Sequence, residues 1–406
     1  MKKVFCAVPL VLWLCIAIGY QNKAALGEIS PRTNHERARD WGIPFSGKPG
    51  FLNAITDVPG ITVGMVTLIS GEGKLVKGKG PVRTGVTAIL PRGKTFDPVY
   101  AGWVTFNGNG DMTGTHWIDE SGFLETPILI TNTGNVGIVR DATWQWMDRN
   151  GYYAPFMKEY WYAYPVVAET YDGMLNDING QHVRPEHVWQ ALDSAHAGPV
   201  AEGSVGGGTG MVCHEFKGGT GTSSREVENS FGKFIVGVLV QANYGSRKEM
   251  RLAGLPIGQD LLDFSLPKYN ETSPNSAMKE RERGSVIVII ATNAPLNPTQ
   301  CQRLARRASV GISRMGGKGG NSSGDIFLAF ATGNPGAFSL DRITAVKQFP
   351  NEAMNDLFTA VGEATEESIC NALVAGRDMT GIQGNSVSGL PKILVQKFLR
   401  EHALLK

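Results

Sequence analysis

The dipeptide Gly284-Ser285 is the point at which this chain could carry out nucleophilic chemistry. It separates a charged stretch, residues 279–283, from an apolar run over residues 286–292 that predicts a buried strand. A chain that cut itself here would give the serine hydroxyl an adjacent α-amine, whose pKa of about 7.7–8.0 suits a base near neutral pH. Glycine before the cut leaves the carbonyl uncrowded and accepts a strained turn. In the alternative interpretation, Ser285 is only the first residue of a strand.

A hydroxyl and a carboxylate, Ser323 and Asp325, stand directly before a second apolar run that begins at Ile326. At the mouth of a strand, such a pair can orient an amine and relay a proton. Residues 320–324 also match the G-x-S-x-G pattern of a nucleophile elbow, with Ser322 as the nucleophile. That pattern needs a strand before it and a helix after it, whereas here a glycine-rich loop precedes and a strand follows. We therefore reject the elbow; a plain polar turn remains the alternative.

Asn243 ends an apolar run over residues 234–243. Its side-chain amide could donate a hydrogen bond to an oxyanion at the end of that strand. The alternative is an ordinary asparagine that forms a turn.

A segment rich in glycine and asparagine, residues 107–117, includes Met112 and Trp117 and leads into two carboxylates, Glu120 and Glu125. A carboxylate beside an aromatic wall would suit recognition of a free ammonium group on a substrate. For either glutamate alone, a solvated surface charge is the alternative.

The elements that must position these groups are short strands followed by longer helices. Apolar runs broken by glycine predict strands over residues 61–64, 85–90, 127–131, 234–243, 286–292 and 326–331. Helical spacing predicts helices over residues 136–147 and 185–195, from Asn297 through Ile312, and over residues 351–374. Residues 258–283 read as an exposed loop, where a proteolytic nick is tolerated. Together, the predicted strands and helices favour an α+β domain of sheets covered by helices.

Composition narrows the classes of function. The chain has 406 residues, a hydrophobic content of 42% and a net charge of +2, which argues against a nucleic-acid partner. Neither H-E-x-x-H nor a paired C-x-x-C occurs, so we expect no catalytic metal and no cofactor. The cysteines after the N-terminal segment, Cys213, Cys301 and Cys370, form no disulfide framework and are expected as small buried residues.

Residues 1–27 have the layout of a secretory signal peptide. A positive start is followed by an apolar run over residues 4–19 and by small residues at 24–27. The apolar run is shorter than the ~20 residues that a spanning helix needs, although an uncleaved anchor is an alternative. We expect a periplasmic or secreted protein.

Four segments together resemble the self-processing aminopeptidase family that includes L-aminopeptidase D-Ala-esterase/amidase and the β-peptidyl aminopeptidases. They are residues 108–114, residues 240–245, Gly284-Ser285 with its strand, and residues 323–327. The likeness extends from about residue 43 to about residue 400. It implies a four-layer αββα sandwich similar to that of N-terminal nucleophile hydrolases. It also implies one domain made of an α chain, residues 28–284, and a β chain, residues 285–406, which assemble into tetramers of αβ units.

The resemblance also implies roles for individual residues. Ser285 would be the nucleophile with its own amine as base, Ser323 and Asp325 would orient that amine, and Asn243 would line the oxyanion hole. Family members that cleave β-peptides can carry glutamate where this chain has Asp325, which leaves acceptance of β-peptides open.

For the ammonium of the substrate, Glu125 is the first candidate and Glu120 the second, and Met112 and Trp117 would wall the pocket. We therefore expect an exported serine aminopeptidase that releases N-terminal residues from short peptides, amides or esters through an acyl-enzyme. The alternatives are an acyltransferase on a related fold and a non-enzymatic envelope protein that binds peptides.

Overall fold

The computed structural model describes Met1, residues 35–269 and residues 284–405. Except for Met1, the predicted signal peptide lies outside these residues, as does most of the predicted loop before Gly284. The chain divides into two units, Met1–Ser30 and Pro31–Lys406, and every element below belongs to the second.

The strands of the described residues range from 2 to 13 residues in length. In chain order they are β1 (Thr62–Ser70), β2 (Val82–Lys94), β3 (Val99–Thr105), β4 (Phe123–Leu124), β5 (Ile128–Asn132), β6 (Val166–Thr170), β7 (Val212–Cys213), β8 (Phe216–Lys217), β9 (Gly219–Asn229), β10 (Gly232–Asn243), β11 (Gly284–Thr292), β12 (Ser323–Ala331), β13 (Met379–Thr380) and β14 (Ser386–Val387). The helices are α1 (Thr115–Ser121), α2 (Val136–Arg149), α3 (Pro185–Asp193), α4 (Ile257–Asp260), α5 (Pro298–Ala305), α6 (Ala308–Arg314), α7 (Met354–Ala375) and α8 (Lys392–Glu401).

Two larger sheets organise the molecule. One has four strands in the order β1-β2-β5-β6, and the other has six in the order β4-β3-β12-β11-β10-β9. β11 and β12 are parallel neighbours, which requires a crossover; α5 and α6 supply it. β10 and β3 flank this pair as antiparallel neighbours.

The layers follow from alternation along the strands, because successive side chains point to opposite faces of a sheet. On β11, Val286, Val288 and Ile290 pack in the same apolar cluster as residues of α5, α6 and α7. Ile287 and Ile289 pack instead with residues of the four-stranded sheet. The outer face of that second sheet packs against α2 and α3. The order is helices, sheet, sheet, helices, so the predicted αββα sandwich is confirmed.

Two predicted helices differ in detail from those observed. The helix expected from Asn297 through Ile312 is divided into α5 and α6, because α5 packs on β3 and β12 whereas α6 packs on α7. The helix expected over residues 351–374 begins with a 3₁₀ turn, Asn351–Ala353, before α7. β12 begins three residues before the predicted strand and so contains the pair Ser323 and Asp325.

Candidate active site

Ser285 is the second residue of β11 and lies in the middle of the six-stranded sheet. It is opposite Asn243 on β10 and Gly324 on β12, and it is 3% exposed in the uncut chain. Its position alternates with that of Val286, so its side chain shares the inner face with Ile287. The hydroxyl therefore lies between the two sheets, on the face away from α7.

Asn243 directs its amide toward this hydroxyl. Its Oδ1 accepts a hydrogen bond from the backbone N–H of Val212 at 2.9 Å. Because Oδ1 is held in this way, Nδ2 is left to donate, and it lies 3.0 Å from the carbonyl oxygen of Tyr171 and 3.4 Å from Oγ of Ser285. An amide donor fixed beside the serine has the geometry that an oxyanion hole requires.

The loop that orients Asn243 is supported by a buried lysine. Nζ of Lys217 donates to the carbonyl oxygens of Met211 and Gly218, at 2.8 Å each, and Met211 directly precedes Val212. Burial lowers the pKa of Lys217 to about 7. The glycine-rich turn nearby packs closely on the same sheet, since a Cβ on Gly207 would lie 2.3 Å from the side chain of Gln241.

A second support is the turn after β6, which carries the carbonyl group of Tyr171. Asp172 is buried there and accepts hydrogen bonds from Asn132 at 2.8 Å and from Asn176 at 3.0 Å. Burial raises the pKa of Asp172 to about 6. This network fixes the turn against which Asn243 is held.

Ser323 and Asp325 lie on the opposite, helix-facing side of the sheet. Along β12 they share a face with Phe327, which belongs to the helix-side cluster, and Ile326 points to the other face. Oγ of Ser323 donates to Oδ1 of Asp325 at 2.6 Å, and Nδ2 of Asn107 donates to Oδ2 at 3.1 Å. With its proton directed at the carboxylate, the Ser323 oxygen presents lone pairs, which can accept from an amine.

Gly284 is directly opposite Ser323 in the parallel register. A Cβ on Gly284 would point to the helix side, 3.1 Å from Oγ of Ser323 and 3.0 Å from Cβ of Tyr244. The bond between Gly284 and Ser285 thus starts beside the Ser323–Asp325 pair. A larger residue than glycine would crowd that position.

Glu169 is a buried carboxylate that our sequence reasoning missed. It lies on β6, 4% exposed, where it accepts hydrogen bonds from the backbone N–H of Asp111 at 3.1 Å and from the hydroxyl of Thr133. Burial raises its pKa. The signal was available: a lone carboxylate within the apolar run 166–170 needs a partner.

Residues 107–114 bring this carboxylate next to the strands that carry Ser285 and Ser323. A Cβ on Gly110 would lie 3.1 Å from Cα of Gly324 and 3.3 Å from Oε1 of Glu169. Gly324 is the residue opposite Ser285, so only one glycine separates Glu169 from the strand beside the serine. Met112 continues the same segment, and its backbone pairs with Ala168.

Glu125 lies at the other end of the sandwich. It follows β4, which pairs with the start of β3 at Val99 and Tyr100, and Tyr100 is opposite Ala331 at the far end of β12. From Ser323 to Ala331 the strand runs about 26 Å at roughly 3.3 Å per residue. The structure therefore does not bring Glu125 to Ser285.

Trp117 accompanies Glu125, since its Nε1 donates to Oε1 of Glu125 at 2.7 Å. Glu120 is exposed on α1. The expectation that Glu125 or Glu120 binds an amine beside Ser285, with Trp117 as a wall, does not agree with this geometry. The error arose because closeness in sequence to residues 107–114 was taken for closeness in space.

Within the described residues there is no group of three or more His, Cys, Asp or Glu side chains that could hold a metal ion. In the same part of the chain, none of the helices has the length and apolar character needed to cross a membrane.

Comparison with known proteins agrees with this fold. Residues 53–387 match peptidase family S58. The chain is 51% identical over 374 residues to beta-peptidyl aminopeptidase BapA of Sphingosinicella microcystinivorans, covering 91% of this chain and 93% of that protein.

Solved structures also match. A Burkholderia sp. beta-aminopeptidase superposes with a TM-score of 0.80 at 48% identity, covering 90% of this chain and 99% of that one. L-aminopeptidase D-Ala-esterase/amidase from Ochrobactrum anthropi, described as a variant of the Ntn hydrolase fold, gives 0.81 at 44% identity, covering 91% and 99%.

The fold, the matched structures and the relatives define the class of protein as an aminopeptidase with an Ntn-hydrolase type of sandwich. Within that class, the chain belongs to peptidase family S58.

Proposed function

We propose that the chain cuts itself between Gly284 and Ser285 and that the freed Ser285 is the nucleophile of the aminopeptidase. The observation that carries this proposal is the division of groups around the serine. Its hydroxyl lies 3.4 Å from the amide of Asn243 on the inner face, while the Ser323–Asp325 pair lies beside Gly284 on the helix side.

In the cut, Oγ of Ser285 attacks the carbonyl carbon of Gly284, the C–N bond breaks, and the nitrogen gains a proton to become the α-amine. Water then hydrolyses the ester. In turnover, Oγ attacks the substrate carbonyl while the α-amine of Ser285 takes the hydroxyl proton. The α-amine then passes this proton to the leaving amine. Asn243 stabilises the oxyanion. Water releases the acyl group, and the hydroxyl is restored.

Recognition of the substrate ammonium is assigned to Glu169. Within the described residues Glu169 forms no ion pair, and its two hydrogen bonds come from neutral donors. A buried carboxylate without a cation is costly, and an ammonium bound beside Gly324 would offset that cost. This assignment explains a preference for free N-terminal amines and restricts products to single residues.

The relatives named as beta-peptidyl aminopeptidases extend the proposal to peptides that begin with a β-amino acid. The side chain of Asp325 is shorter than the glutamate that such family members can carry. In this proposal it acts on the amine of Ser285 and not on the substrate backbone, so its length does not prevent cleavage of β-peptides. A panel of L-, D- and β-aminoacyl p-nitroanilides measures this preference. Turnover of the L-substrates alone would contradict the extension.

The two chains should stay together after the cut. β11 and β12 would belong to the β chain, yet they lie between β10 and β3 of the α chain in one sheet. Separation would break both ladders and open the core. We propose, in line with the resemblance, that these αβ units form tetramers and that residues 1–27 direct export. Light scattering of the mature protein and N-terminal sequencing of the exported α chain test these points.

The central experiment is Ser285→Ala, followed by denaturing electrophoresis, intact mass and assay. We expect a single uncut chain without activity, whereas the wild type gives two chains divided at Ser285. Ser322→Ala is the matched control, because it removes the neighbouring hydroxyl of the G-x-S-x-G sequence and should mature normally. A wild-type chain that is fully active while uncut would overturn the proposal.

The role of Glu169 has its own test. Glu169→Gln should raise KM for substrates with a free amine by about tenfold or more, the usual result of losing one partner of a buried charge pair. Glu228→Gln, an exposed charge on β9, is the control. An equal loss on N-acetylated substrates would assign Glu169 a structural role instead.

A further inference from the structure

A cavity of about 130 Å³ lies at the end of the sandwich away from Ser285. The residues that line it include Phe96, Trp117, Tyr153, Trp161 and Glu125. Of the described residues that line it, Glu125 alone carries a charge. Tyr162 at its edge is 60% exposed, so the cavity opens to solvent.

The aromatic rings hold one another in place. Tyr153 and Trp161 stack with their centroids 5.0 Å apart, and Trp144 also stacks on Trp161, at 4.7 Å. Phe96 packs edge-on against Tyr152 at 5.7 Å. The wall is therefore built before any ligand arrives, which lowers the entropy lost on binding.

The carboxylate of Glu125 is held in place but has no cationic partner among the described residues. Oε1 of Glu125 accepts the indole N–H of Trp117 at 2.7 Å, and within the described residues Glu125 forms no ion pair. Burial raises its pKa, as expected for a carboxylate that lacks a cationic partner. Arg92 and Asp97, which lie near Tyr152, form an ion pair with each other at 3.0 Å and do not line the cavity.

We propose that this cavity binds a small organic cation of the alkylammonium class, held by the faces of its aromatic rings and by the carboxylate of Glu125. Aromatic faces attract ammonium and quaternary ammonium groups through the ring quadrupole. A cavity of comparable size is large enough for a molecule such as benzene. The site is separate from Ser285 and Glu169, and it does not depend on the function proposed above.

The test is calorimetric titration of the mature wild-type protein with choline and with 3,3-dimethylbutan-1-ol, its neutral isostere. We expect saturable binding of choline and weaker binding of the alcohol. Glu125→Gln keeps an acceptor for Trp117 but removes the charge, and should weaken choline binding by about tenfold or more. Tyr153→Leu should weaken it about three- to thirtyfold by removing one aromatic face.

Glu120→Gln is the matched control, since it removes an exposed charge five residues away and should leave choline binding unchanged. Thermal unfolding of each variant shows whether it is folded. Three results would overturn the proposal: no saturable binding of choline, equal binding of the alcohol, or loss of choline binding in Glu169→Gln but not in Glu125→Gln. The last would place the cation beside the catalytic strands.

Discussion

The two faces of the six-stranded sheet present different groups to Ser285. On the inner face are its hydroxyl, the amide of Asn243 and, across Gly110, the carboxylate of Glu169. On the helix face are the Ser323–Asp325 pair and the space beside Gly284 that a larger residue would fill. Under the proposed function, the inner face would serve the substrate and the helix face would serve the α-amine that the cut creates.

This division is a consequence of the strand itself. Successive groups along a strand point to opposite sides, so a serine at its start has its hydroxyl on one face while its backbone nitrogen can be reached from the other. We therefore expect variants of the inner face to change turnover more than maturation. We expect variants of the Ser323–Asp325 pair to change both, and a variant of Gly284 to change maturation alone.

The largest effect should come from the inner face, through Asn243→Asp. The new carboxylate can still accept from the N–H of Val212 but cannot donate to an oxyanion, so kcat should fall about 10²- to 10³-fold. Steady-state kinetics on the matured enzyme measure this, with Asn150→Asp as an exposed control. A rise in KM with an unchanged kcat would contradict the assignment of Asn243 to the oxyanion hole.

On the helix face, Ser323→Ala should slow both self-cleavage and turnover by about 10²-fold, the usual scale for loss of proton transfer. Because Ser323 acts on the amine, the ascending limb of the pH–rate profile should also move. Asp325→Asn should behave likewise, and Asp325→Glu should recover part of the activity. A lower rate with an unmoved pH profile in all three would indicate a structural role only.

Gly284→Ala separates maturation from turnover most sharply. A methyl group there would crowd Oγ of Ser323 and Cβ of Tyr244, which should slow self-cleavage by about tenfold or more. Once cut, residue 284 is only the end of the α chain, so turnover per matured molecule should be normal. Timed electrophoresis and active-site titration give the two rates. Equal losses in both would mean that residue 284 still affects the site after the cut.

The sequence allowed six of the strands, the α+β class and the group around Ser285 to be predicted, because these depend on local alternation and on the order of a few motifs; β3, β6 and β9 were not predicted. Glu169 could not be assigned in the same way, since its closeness to Gly324 comes from the packing of two sheets through residues 107–114. Glu125 illustrates the converse: it is near those residues in the chain, yet β4 carries it to the opposite end. The break between α5 and α6 likewise depends on two different packing partners.

The smallest effect should come from the support of the inner face, through Lys217→Met. The carbonyl groups of Met211 and Gly218 would lose their donor, so the free energy of unfolding should fall by about 1–3 kcal/mol. The loop that holds Asn243 would loosen, with a few-fold loss of kcat. Lys74→Met, at an exposed lysine, is the control.

The contribution of Lys217 to stability should change with pH in a defined direction. Burial lowers the pKa of Lys217 from 10.5 to about 7, so between these values the unfolded chain binds more protons than the folded one. Stability from this group therefore rises as the pH increases from about 7 toward 10.5. The wild-type Tm should therefore rise relative to that of Lys217→Met as the pH increases from 7 to about 10. Parallel Tm curves would mean that Lys217 keeps its proton in the folded protein throughout this pH range.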